Sequence, residues 1–126
     1  HNTQEPGLPF SADHLIRWKA DDSYSSLESW DGVAWVSTTP LFGAAGAVRA
    51  ESGDVVELSV PLGTLGVSDL LDVYVGWLYE GAGFETTYAA TPAGAIPDGT
   101  YDPDYAQYWR FDRTSPLPPT AAVPLP

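Results

Sequence analysis

Cysteine and methionine are both absent from the 126 residues. Without cysteine the chain cannot form a disulfide framework, a thiolate nucleophile or a zinc–thiolate site. Without methionine it does not begin at an initiator residue, so we expect His1 to be a processed or truncated end. No apolar run approaches the length of a membrane-spanning helix, and we expect no membrane insertion. An export signal already removed would make the protein extracellular or attached to the cell surface, which is the location we expect.

Basic residues are also scarce. Five Lys and Arg residues stand against 17 Asp and Glu residues, which gives a formal net charge of -12. A surface of this sign repels phosphate backbones, so nucleic acid is excluded as an expected partner. Anionic membrane surfaces are disfavoured for the same reason. The acidity is typical of a soluble extracellular protein and is compatible with cation binding.

Turn-forming and aromatic residues are plentiful. The 12 Gly and 12 Pro residues fall between short apolar runs, and five Trp, seven Tyr and four Phe residues can fill a core. This pattern predicts an all-β fold, an antiparallel β-sandwich of about seven to nine short strands, with jelly-roll topology left open. We expect an extended lead-in over residues 1–12, a sandwich domain over 13–113 and a proline-rich extended tail over 114–126.

Alternating apolar residues and turn signals define the expected strands. Residues 25–30 and 33–38 flank Asp31-Gly32, which favours a hairpin with a type I′ turn. The register leaves open whether Trp30 and Trp35 meet or lie on opposite faces. Residues 70–80 are apolar on both faces, which predicts a central or otherwise covered strand. The other expected strands are 14–19, the hairpin arms 44–51 and 55–61, a short strand at 85–90, and a last core strand at 105–113.

Several short segments carry a family resemblance: Leu8-Pro9-Phe10, Trp30-Asp31-Gly32, residues 56–62 with Leu65-Gly66, residues 71–76 and residues 105–112. Together they resemble the C-terminal part of the DOMON-like, family-9-type carbohydrate-binding β-sandwiches of secreted bacterial proteins. The resemblance implies a sandwich that binds polysaccharide or cell-surface glycan. The family's early strands would precede Leu8 and are absent here. Either the fold is smaller, or the missing strands come from another copy or a second chain through strand addition.

Aromatic side chains are the candidate glycan ligands, because sugar rings stack on flat Trp and Tyr faces. Turns and the tyrosine-rich end of the chain could expose them to solvent. The alternative is that they belong to the core, as we expect for Trp18, Trp77 and Trp109. The candidates are Trp30, Trp35, Tyr101, Tyr105 and Tyr108.

Three carboxylates, Asp98, Asp102 and Asp104, could converge as oxygen ligands for calcium. Their spacing is not that of an EF-hand, and Asp residues beside Gly and Pro also stabilise turns. A further hypothesis is a copper site formed by His1, if it is the natural end, with His14.

No catalytic motif is present. The chain has no GxSxG, HExxH or P-loop pattern, and nothing marks one pair of carboxylates as a glycosidase pair, so we expect no enzyme. The leading hypothesis is an extracellular non-enzymatic module that binds polysaccharide or surface glycan. The alternative is a structural subunit of a filament, matrix or surface layer joined by strand addition. The missing early strands and the two-sided apolar strand at residues 70–80 support that alternative.

Overall fold

The computed structural model describes residues 7–81, 84–92, 104–105, 107–115 and 120–124. These residues form strands and turns and no helix, so none of them belongs to a helix that could cross a membrane. Every strand pairs antiparallel with its neighbour, which confirms the all-β, antiparallel class. The strands are β1 His14–Trp18, β2 Ser25–Trp30, β3 Trp35–Thr39, β4 Val48–Ser52, β5 Val55–Ser59, β6 Leu70–Val73, β7 Val75–Gly81, β8 Phe84–Thr91, β9 Gln107–Asp112 and β10 Thr120–Pro124.

The chain divides into two compact units, each with its own sheets. The first unit, Ala12–Ser68, contains a sheet of order β1-β2-β3 and the two-stranded sheet β4-β5. The second unit joins His1–Ser11 to Asp69–Pro126 and contains a sheet of order β10-β9-β6 and the two-stranded sheet β7-β8. The sandwich arrangement and the domain limits at residues 13 and 113 stay predictions.

The first unit is built around four buried apolar residues, Leu27, Leu41, Ala45 and Ala47. Alternation along β1 and β2 places Ile16 opposite Leu27 in the ladder, so that Ile16 packs on this core. Turn hydrogen bonds at residues 61–67 close the following glycine-rich segment. That turn brings Leu65 against the same core.

The two hairpins of this unit have different loops. The expected two-residue type I′ turn at Asp31-Gly32 is wrong, because Trp30 pairs with Trp35 and leaves a four-residue loop. The Asp31 carboxylate accepts hydrogen bonds from the backbone N–H groups of Val33 and Ala34, both at 2.8 Å, and this stabilises the longer loop. The β4-β5 loop has two residues, and its first, Gly53, has a φ of 59° that favours glycine.

The expected strand at residues 70–80 is split at Tyr74. Its first part, β6, pairs with β9, whereas its second part, β7, pairs with β8. Within the described ranges both parts therefore lie at sheet edges, and the expected central position is wrong. At the break, the ring of Tyr74 packs on that of Tyr105 with centroids 4.1 Å apart.

Part of the proline-rich tail also joins a sheet. Thr120–Pro124 pairs with β9 as the outer strand β10. Residues 120–123 contain no proline, so they keep the backbone N–H groups that a ladder needs. Pro124 stands at the end of an edge strand, the position in a sheet where proline is tolerated.

Candidate functional site

Two tryptophans form an exposed pair at the tip of the β2-β3 hairpin. Trp30 and Trp35 are direct cross-strand partners, with ring centroids 5.4 Å apart and ring planes at 61°. Trp30 is 46% exposed, while Trp35 is half-buried. The structure therefore brings together the two residues whose relation the sequence left open, and it leaves one ring accessible to a ligand.

The loop beside this pair adds a charged group. Hydrogen bonds from the backbone N–H groups of Ala34 and Val33 lower the pKa of Asp31 below its ordinary value, so its carboxylate is ionised at neutral pH. Val33, at the end of the loop, is 85% exposed. A flat aromatic face next to a hydrogen-bond acceptor is the combination expected at a shallow sugar-binding surface.

Two of the other aromatic candidates are buried. Tyr105 is 6% exposed, and its hydroxyl lies 3.1 Å from the Oγ1 of Thr87, which is itself fully buried. Tyr108 is also buried, edge-to-face with Phe10 at 5.2 Å. Neither tyrosine presents a ring to solvent, so both act in packing. Tyr101 lies outside the described residues.

The structure describes one of the three proposed calcium ligands. Asp104 is exposed and its backbone forms a bridge with Gly7, whereas Asp98 and Asp102 lie outside the described residues. In the part of the chain that is described, no three acidic or histidine side chains cluster as metal ligands do. His14 lies with its Nδ1 3.2 Å from the hydroxyl of Ser29, and His1 is outside the described residues. The calcium and copper hypotheses stay predictions.

A second surface, which the sequence analysis missed, lies on the β7-β8 hairpin. We call it the β7-β8 patch, and its exposed apolar side chains are Val75, Trp77, Leu78, Tyr79 and Tyr88. Trp77 is 50% exposed and Tyr79 is 66% exposed, although we expected Trp77 in the core. Alternation places Val75, Trp77 and Tyr79 on one side of β7 and Leu78 on the other. Apolar residues on both faces were the signal for this surface, but that pattern also fits a buried strand.

The backbone hydrogen bonding of this hairpin is also incomplete. The β7-β8 sheet has two strands, so within the described ranges both outer edges are unpaired. An isolated two-stranded hairpin is only marginally stable in water, and an open edge can accept a further strand. The β4-β5 sheet has the same character: Val48, Val55, Val56 and Leu58 are exposed. An open depression of about 470 Å³ also lies on this hairpin, between residues of its two strands.

The arginines of each unit are largely paired with acidic side chains of the same unit. Arg49 pairs with Asp22 and lies over the ring of Trp18 at 5.3 Å. This contact, with the indole N–H of Trp18 adding to it, lowers the pKa of Asp22. Arg110 forms two hydrogen bonds of 2.7 Å to the carboxylate of Asp72. The remaining charge on both units is therefore mostly negative.

No family model, curated protein or solved structure matches the chain. The DOMON-like resemblance stays a prediction carried by the segments quoted above. Two surfaces of the described residues are open to a ligand or partner: the Trp30–Trp35 pair and the β7-β8 patch.

Proposed function

We propose that the protein is a non-enzymatic, extracellular structural subunit whose incomplete sheets are covered by strands of other chains. The observation that carries this proposal is the β7-β8 patch. Large aromatic side chains are half or more exposed there, on a hairpin whose outer edges are free in the described part of the chain. Apolar surface of this kind on a sheet edge is typical of an interface.

The energy available from covering this patch is substantial. Trp and Tyr side chains each bury about 150–250 Å² when fully covered. Covering the exposed parts of Trp77 and Tyr79 would remove roughly 250 Å² from water, which is worth on the order of 5 kcal/mol before ordering costs. An added strand would also satisfy the unpaired backbone groups of the edge. Burial and backbone pairing together favour strand addition over an exposed state.

The charge and the resemblance support an extracellular role. A net charge of -12 keeps an exposed subunit soluble before it assembles. The resembled family consists of secreted proteins, which fits an extracellular subunit.

Light scattering of the purified full chain, with intact masses of every component in the peak, tests the proposal. We expect a particle larger than one chain, or a second chain in the same peak. Trp77→Ser should raise the dissociation constant of that assembly at least tenfold, because tryptophan hot spots contribute about 2 kcal/mol or more. Val33→Ser, which changes an exposed residue in the other unit, is the matched control and should leave the assembly intact.

A single-chain monomer at every concentration that also binds no extended peptide at the β7-β8 hairpin would contradict this role. Circular dichroism of Trp77→Ser checks that the variant keeps its strands. If Val33→Ser dissociates the assembly as strongly as Trp77→Ser does, the β7-β8 patch is not the interface.

A second candidate function is glycan binding at the Trp30–Trp35 pair. The specific observation in its favour is the accessible Trp30 ring beside the ionised Asp31 carboxylate. The resembled family binds carbohydrate, and Trp30-Asp31-Gly32 is one of the segments that carries the resemblance. A shallow surface of this kind suits a sugar chain better than a small buried ligand.

Replacing Trp30 with alanine should weaken retention on polysaccharide gels about tenfold, because one aromatic stacking contact is worth about 1–1.5 kcal/mol. Affinity electrophoresis on a panel of soluble polysaccharides measures this change. Trp30→Phe keeps a ring and should keep most of the binding, while Val33→Ala should have no effect. Retention unchanged in Trp30→Ala, or absent in the unmodified protein, would remove this candidate.

A further inference from the structure

The partner strand can be described by its charge, an inference that rests on the structural role proposed above. We propose that the β7-β8 patch binds a cationic extended segment of a different protein, in which apolar residues alternate with Lys or Arg. The segment would add to an edge of the β7-β8 sheet rather than come from a second copy of this chain. Three observations support this: the charges on the hairpin, the charge of its unit and the behaviour of the chain's own arginines.

The β7-β8 hairpin carries acidic residues and no basic ones. Its charged residues are Glu80 and Glu85, which the register places directly opposite one another. An added strand therefore meets only negative formal charge along this hairpin. A strand with Lys or Arg at the corresponding position would therefore be preferred over a neutral or acidic strand.

The surrounding unit has the same sign. His1–Ser11 and Asp69–Pro126 contain nine acidic residues against two basic ones. Of the basic residues, Arg110 is committed to Asp72, and Arg113 also has an interaction partner. A second copy would bring another net charge of -12 to the interface. A cationic partner would instead be steered towards it and held by opposite charge.

The chain's own arginines show how its aromatic rings bind cations. Arg17, Arg49 and Arg110 each lie over an aromatic ring of their own unit, at 5.1, 5.3 and 5.4 Å for Tyr24, Trp18 and Tyr108 respectively. Open Trp and Tyr faces attract Lys and Arg through cation–π contacts. The exposed rings of the β7-β8 patch can therefore accept the cations of an added strand.

Synthetic peptides test the charge and the conformation separately. One peptide alternates valine or threonine with lysine, a second replaces every lysine by glutamate, and a third keeps the lysines but interrupts the strand with prolines. Each labelled peptide is titrated into the full chain and followed by fluorescence anisotropy at low and physiological salt. We expect the first to bind at least tenfold more tightly than the other two, and salt to weaken its binding.

Substitutions at Tyr88 test the location. Tyr88 is mostly exposed, so both Tyr88→Lys and Tyr88→Glu should fold. Both lose the ring and differ only in charge, and the cationic peptide should bind the Lys variant about tenfold more weakly than the Glu variant. Val33→Lys makes a positive change on an exposed residue of the other unit and should leave binding nearly unchanged.

The outcomes separate this inference from the proposed function. Equal binding of the lysine and glutamate peptides, or equal weakening by Val33→Lys and Tyr88→Lys, would overturn the cationic strand. A polymer that contains only this chain would overturn it as well, while upholding the structural role. A monomer that binds none of the peptides would overturn both.

Discussion

Replacing Tyr105 with alanine is expected to lower the free energy of unfolding by about 3–5 kcal/mol, the range for large aromatic residues truncated in a core. Tyr105 is buried, its ring packs on Tyr74 at 4.1 Å, and its hydroxyl lies 3.1 Å from that of Thr87. Its backbone N–H also donates to the carbonyl of Gly7 at 2.9 Å. The substitution would leave a cavity where the break between β6 and β7 is packed.

The contribution of the hydroxyl can be measured separately. Tyr105→Phe keeps the ring but leaves the fully buried Thr87 hydroxyl without this partner, which should cost about 1–3 kcal/mol. Tyr79→Phe removes a hydroxyl from an exposed ring and should change stability by less than about 0.5 kcal/mol. Urea unfolding followed by circular dichroism gives all three values. A cost for Tyr105→Ala no larger than that for Tyr79→Phe would show that Tyr105 is not a core residue.

Leu41→Ala should have a comparable effect in the other unit, about 3–5 kcal/mol. Leu41 is completely buried among Leu27, Ala45 and Ala47. Two of those neighbours are alanines, so they cannot fill the space that the leucine leaves. For that reason the loss should fall in the upper part of the range measured for Leu→Ala substitutions.

The urea midpoint is the direct measurement for Leu41→Ala. Since urea lowers stability by about 1–3 kcal/mol per molar, the midpoint should fall by roughly 1–5 M. Val33→Ala, a truncation at an exposed loop residue, serves as the control and should leave the midpoint nearly unchanged. Equal midpoints for the two variants would contradict the placement of Leu41 at the centre of this core. An unfolding transition that begins already in water would mean that the loss exceeds the stability of the unit.

Local patterns predicted most of the strands, because alternation and turn residues act over a few positions. The period-two pattern at residues 14–19 became β1, and the pattern at 105–113 became β9. The position of each strand within a sheet could not be read in the same way. At the split, Tyr74 packs on Tyr105, which is 31 positions away in the sequence. A contact between residues so far apart produces no pattern in the local sequence.

For the candidate site too, the sequence predicted local features but not tertiary contacts. Trp30 and Trp35 were found from the turn between them, but their pairing depends on a loop longer than the predicted one. That length is stabilised by the side chain of Asp31, a detail that the Asp-Gly signal does not contain. The burial of Tyr105 and the exposure of Trp77 were missed for another reason. Aromatic residues on alternating strands look alike until their tertiary partners are known.

Each unit carries one two-stranded hairpin with exposed apolar residues, β4-β5 in the first and β7-β8 in the second. If strands add at both edges, as the proposed structural role implies, each molecule takes up two partner segments rather than one. The ratio of bound segment to this chain at saturation is then two.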